Sequence, residues 1–303
     1  MKPYQLHEDL IWMEKVRIKK YTKLRIGFAN LLFTLSLWFF KRNKALKRIT
    51  YRISGHHNKP FKMVSYQEKQ EEKRGALLYF HGGGFFLKGT GVHLRLVQKL
   101  ALMTNRNVFF VHYHLALKHP FPHALMDCYH ALKWVREHAE SLHIDPNKIA
   151  LMGDSAGGNL AAATALYARD HGGPIIEKIM LLYPVLDVRQ NTKSMEMFVD
   201  APIWNSTLNR YMWEKYLRKG DFGMLPYASP SLASLDHLPM TYIETAEYDC
   251  LRDEAILFEE GLKKAGVPVT SYHTKGSVHG YDALYKSGFV LDMVKKRVDF
   301  LNQ

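Results

Sequence analysis

A serine stands between two glycines at Gly153-Asp154-Ser155-Ala156-Gly157. Residues 148–152, just before it, are apolar after Lys148 and read as a short buried strand. The alanine- and leucine-rich run after it reads as a helix. A serine at a sharp strand-to-helix turn is a nucleophile elbow, with small neighbours that let the backbone fold tightly and push the hydroxyl outward. The helix behind it would point its N-terminus at a centre where negative charge develops. The same five residues also suit an ordinary serine N-cap at a helix start.

A second motif favours the chemical reading. His81-Gly82-Gly83-Gly84-Phe85-Phe86 follows residues 75–80, another apolar run with the look of a buried strand. In an α/β-hydrolase, such a loop after the third strand lends backbone N–H groups to an oxyanion hole. These two motifs, with YPVLD, EYDCLRDE and VHGY further on, carry a resemblance over roughly residues 75–300. The chain resembles the hormone-sensitive-lipase-like branch of the α/β-hydrolases, which includes many bacterial carboxylesterases and acetyl esterases. The resemblance implies an α/β fold: a mostly parallel central sheet flanked by helices, with a helical cap. It also implies a chain order of Ser, then Asp or Glu, then His for the catalytic residues.

After Ser155 the candidates are few. Asp249 ends a predicted strand at 240–249, the end of a strand where open α/β sheets gather site residues. Glu247 and Asp253 are its rivals. His279 lies in an expected glycine-flanked loop at 276–280, after a predicted strand at 269–274, and His273 within that strand is its rival. The resemblance assigns Ser155, Asp249 and His279 as nucleophile, acid and base. It assigns the amides of Gly83, Gly84 and Ala156 to the oxyanion hole, and His81 reads as a shaper of its loop. Phe85 and Phe86, with Trp204, Tyr211 and Met212 of a segment at 188–232, are the expected apolar pocket. The chain departs from the family in having Cys250 where proline is common and Tyr281 in the place of Phe, and in one longer stretch. Where Tyr-Arg-Leu-Ala-Pro-Glu is usual, it has Tyr113-His114-Leu115-Ala116-Leu117-Lys118, so the family's local charge ties are missing.

These residues need elements to hold them. The 303 residues, 47% hydrophobic, suffice for one α/β domain with a cap. Residues 51–303 read as the hydrolase body: a strand or two and a charged turn through 67–75, helices near 93–103 and 124–140, a strand at 178–187, a cap insertion at about 188–232 with a helix near 205–218, and a final helix. Residues 1–50 read apart. They carry 12 Lys and Arg against 3 Asp and Glu, whereas residues 51–303 carry 30 against 26. Within them, residues 26–40 form an uncharged apolar run between Lys23 and Arg25 on one side and Lys41 and Arg42 on the other. A spanning helix needs about 20 apolar residues, and a signal peptide would bring a cleavage site that is lacking. Three readings stand: a cap helix over the active-site mouth, an interfacial helix that presses Trp38, Phe39 and Phe40 into a membrane, and an ordinary buried helix.

Cys128 and Cys250 form neither a metal spacing nor a disulfide framework, which fits a reducing cytosol. No nucleic-acid motif accompanies the net charge of +13. The expectation is a serine carboxylesterase acting on small or medium acyl or aryl esters, without metal or organic cofactor. A membrane-surface lipase and an amide deacetylase are the alternatives, and a non-enzymatic receptor on the same fold a remote one. A cytoplasmic location, peripheral membrane contact and a homodimer complete the expectations.

Overall fold

A computed structural model describes residues 4–40, 43–68 and 72–303. Among the described residues, eight strands form one sheet: β1 (Leu46–Ser54), β2 (Pro60–Glu68), β3 (Arg74–Phe80), β4 (Arg106–His112), β5 (Ile144–Asp154), β6 (Lys178–Leu182), β7 (Met240–Tyr248) and β8 (Val269–Val278). Their order is β1-β2-β4-β3-β5-β6-β7-β8. β1 and β2 pair antiparallel, β2 runs antiparallel to β4, and all later pairings are parallel. The helices are α1 (Lys23–Phe39), α2 (Gly91–Met103), α3 (His123–Glu137), α4 (Ala156–Asp170), α5 (Lys193–Met197), α6 (Ser206–Tyr216), α7 (Leu225–Ala228), α8 (Arg252–Lys264) and α9 (Gly288–Asn302).

The sheet is covered on both faces, which is why its central strands are apolar almost without break. Alternate residues still serve different layers. Leu78 and Phe80 of β3 join Leu151, Leu181 and Ile243 in one core, with Leu132 of α3, Leu166 of α4 and Phe258 of α8. Leu77 and Tyr79 join Met152, Met180 and Tyr242 in the other, with Val97 of α2 and Val294 of α9. That two-residue period fixes the register, because a slip of one residue would exchange the two faces.

Several boundaries differ from expectation. The strand expected at 178–187 stops at Leu182, because Tyr183 takes φ 35° and Pro184 follows. The loop expected at 276–280 is largely strand: β8 runs to Val278 and pairs with β7 beyond an irregularity at Ala246/Tyr248. Residues 51–68 extend β1 and form β2. Residues 69–71 of the expected charged turn, like Lys41 and Arg42, lie outside the described residues. Among the described residues, no helix is long and apolar enough to cross a membrane.

Candidate active site

Ser155 joins the end of β5 to the start of α4. It holds φ 55° and ψ −120°, an unfavourable backbone for a residue with a side chain. The turn closes because Gly157 lacks one: a Cβ there would fall on the carbonyl of Phe80. The Ser155 amide donates to the Leu182 carbonyl at 2.9 Å, and its own carbonyl accepts from Val185. The strained turn is therefore tied to β6 on the adjoining side.

Three side chains from separate loops meet there. His279 Nε2 lies 2.9 Å from Ser155 Oγ, and its Nδ1 lies 2.6 Å from Asp249 Oδ2. All three residues are buried, and Asp249 is wholly so. The other oxygen of Asp249 accepts the Leu251 amide at 3.0 Å, which fixes the carboxylate. The rivals are engaged elsewhere. Glu247 accepts the Gly276 amide, Asp253 accepts that of Ser194, and His273 sits between Thr245 and Glu259 on β8.

The loop after β3 runs beside this trio. Gly83 adopts φ 115°, which a side chain would resist. Among the described residues, no acceptor takes the amides of Gly83, Gly84 or Ala156. Free amides from a loop and from a helix N-terminus can hold an anion there. His81 does not reach the serine. It bonds the Gly82 carbonyl at 2.8 Å, and its ring stacks against Phe110 and Tyr113. Burial pushes its imidazole down to about 4, so it stays neutral and structural.

The motifs did not single out Asp154, the residue before Ser155. Its carboxylate accepts the Tyr79 hydroxyl at 2.5 Å and the Gly82 amide at 3.0 Å, with His93 at 3.4 Å. Burial opposes its ionisation, but His93 and the Tyr79 hydrogen bond outweigh burial and hold the carboxyl down to about 2. It pins the glycine loop to the elbow. Its place inside the five-residue motif was the available signal. In the stretch that departs from the family, His114 bonds Asp127 through both its amide and its ring, at 2.8 and 2.7 Å.

The expected pocket residues divide. Phe85 is fully buried, stacked on Tyr216 at 3.7 Å, and Met212 is buried in the same core; both are packing residues rather than pocket walls. Phe86 is also buried, with its edge contacts to Tyr21 and Tyr211. Trp204 comes close to the chemistry, its ring 6.0 Å from that of His279 and against Gly84. A cavity of about 510 Å³ opens beside Gly82, Gly83 and Gly280, and none of the five expected residues lines it. Its apolar wall includes Ile18, Tyr21, Phe33, Leu87, Tyr183 and Ile203, with Lys88, Arg95 and Lys99 also along it; Gly82, Gly83 and Gly280 line it, and Ser155 and His279 do not. Among the described residues no cluster of His, Cys, Asp or Glu could hold a metal ion.

A doubly covered, mostly parallel sheet with a serine, a histidine and an aspartate at its strand ends defines a hydrolase of the α/β class. The family described as the alpha/beta hydrolase fold matches residues 77–283, and the chain belongs to it, within its hormone-sensitive-lipase-like branch. The chain is 40% identical over 210 residues to the esterase LipI of Mycobacterium tuberculosis, covering 68% of this chain and 65% of that one. It is 34% identical over 218 residues to an arylesterase of Saccharolobus solfataricus, covering 71% of each. The matched segment thus spans only about two thirds of these relatives' length. Among solved structures, a bacterial heroin esterase superposes with a TM-score of 0.89 at 30% identity, over 98% of this chain and 97% of that one.

Proposed function

We propose that the chain is a serine carboxylesterase that cleaves small to medium acyl or aryl esters through an acyl-serine. The observation that carries this reading is the unbroken relay from Asp249 through His279 to Ser155. His279 Nε2 accepts the Ser155 proton as the hydroxyl attacks the ester carbonyl. Asp249 keeps the other ring proton on Nδ1 and stabilises the imidazolium that forms. The tetrahedral oxyanion lies among the amides of Ala156, Gly83 and Gly84, each such donor contributing about 10²–10³ in rate. The alcohol leaves with the proton from His279. Water then attacks the acyl-serine, with His279 as base once more. No step calls for a metal or an organic cofactor.

In this reading residues 1–50 and the insertion at 188–232 act together as a cap on the body at 51–303. Direct contacts between the two support it. Ile203 donates its amide to the Val16 carbonyl, Asn205 its side chain to Ile18, and Arg17 its guanidinium to Asp200. The cavity behind them is mostly apolar, which suits an acyl or aryl group.

The test is hydrolysis of p-nitrophenyl esters from acetate to palmitate by the whole chain and by Ser155→Ala and Asp249→Asn. Turnover should be confined to the shorter chains. Asp249→Asn should lower kcat by about 10⁴, and Ser155→Ala should lose at least as much. Retained turnover in Ser155→Ala would overturn the assignment. Activity that rises with chain length above the substrate's solubility limit would favour a lipase, and preference for anilides over esters an amide deacetylase.

A further inference from the structure

Helix α1 is apolar on two sides, and only one is covered. Inward, Ile26 is buried, Phe33 lines the cavity, and the Asn30 side chain bonds the Phe86 carbonyl and the Lys88 amide at 3.0 and 2.7 Å. Outward, Leu24, Phe28, Leu31, Leu35 and Trp38 recur at helical spacing, with Leu32 and Phe39 beside them. All seven are exposed: Phe28 to 64%, Phe39 to 70%, Trp38 to 77%. A contiguous apolar stripe of this kind normally marks a binding surface.

The charges in the surrounding sequence select its occupant. Residues 15–50 contain eleven Lys and Arg and no Asp or Glu. Among the described residues, none of these cations forms an ion pair. A second copy of the chain would bring the same cations to face them. An anionic bilayer answers both features at once: headgroups for the lysines, acyl chains for the leucines, and the interfacial zone where a Trp side chain settles. Seventeen residues make a helix of about 26 Å, shorter than the ~30 Å hydrocarbon layer. It would lie in the interface rather than cross it.

We propose that the outer face of α1 docks the protein on an anionic lipid surface. The inner face would stay on the cavity, so the docked helix would set the pocket wall directly against the lipid that carries apolar esters. This goes beyond the esterase reading and does not depend on it.

The test is cosedimentation with phosphatidylcholine vesicles, with and without a minority of phosphatidylglycerol. The unaltered chain is compared with a triple variant, Leu31→Ser, Leu35→Ser and Trp38→Ser. The unaltered chain should bind the anionic vesicles, and brominated acyl chains should quench its tryptophan fluorescence. The triple variant should bind roughly tenfold more weakly or worse, with thermal midpoint and p-nitrophenyl acetate turnover unchanged, since the three side chains are exposed and outside the site. No binding to anionic vesicles would overturn the proposal. So would equal binding by the variant, the mark of plain adsorption of a basic protein. A dimer in sedimentation velocity that the triple substitution dissociates would assign the stripe to a second copy and overturn it as well. Because binding is read without turnover, loss of the esterase assignment would leave this result interpretable.

Discussion

Ser155 holds a backbone conformation that costs a residue with a side chain roughly 1–3 kcal/mol. The surrounding turn imposes it, and it sets the hydroxyl 2.9 Å from His279 Nε2. These residues were legible in the sequence because each sits in a short local pattern: a serine between glycines, an aspartate at a strand end, a histidine before a glycine. Asp154 and His93 were not legible as partners, since sixty residues separate them and only the sheet brings them together. His81 offers a test at this scale. Its imidazole is held at about 4 by burial, whereas in an unfolded chain it titrates near 6.5. Above about pH 6.5 both states are neutral there and stability is full. As pH falls toward 4 the unfolded chain takes the proton and the folded one does not, so stability declines by about 3 kcal/mol and then levels off. Proton NMR of His81 should show a neutral ring down to about pH 5. A titration near 6.5 in the folded protein would contradict the burial argument.

At the scale of elements, the central strands were legible because both faces of the sheet are covered. Their ends were not, because they depend on partners distant in sequence: β8 runs on to Val278 through pairing with β7, and β6 stops where Tyr183 turns under His279. The segment after His279 is fastened to the sheet by a buried ion network. Arg297 of α9 meets Glu244 of β7 at 2.6 Å and Asp282 at 2.8 Å, and the Tyr281 hydroxyl donates to Glu244 at 2.6 Å. Arg297→Met would leave Glu244 fully buried without its cation. That change should lower the unfolding free energy by about 3–5 kcal/mol in urea titration, and Glu244→Gln added to it should recover part of the loss. An effect under about 1 kcal/mol, the size of an exposed pair, would show that the network does not hold α9 to the sheet.

Across the whole molecule, the fold class and its motifs were readable before any geometry, but the pocket was not. Its apolar wall gathers Ile18, Tyr21 and Phe33 from the N-terminal segment and Ile203 from the insertion, with Leu87 and Tyr183 from between them. No periodicity in the sequence joins such positions. Phe85 looked like a pocket residue because it adjoins the glycines, yet the backbone turns its ring onto Tyr216. The basic, apolar N-terminal segment was visible as a composition. Its two faces became distinguishable only once Asn30 was seen bonded to the loop of Phe86 and Lys88.

In the proposed reaction an ester's acyl group passes through Ser155. The direct measurement is to acid-quench the enzyme during turnover of a p-nitrophenyl ester and read the mass of the peptide that contains Ser155. That peptide should be heavier by the acyl group, and no such adduct should form in Ser155→Ala. An acyl group on a different residue, or ester turnover persisting in Ser155→Ala, would contradict the proposed reaction.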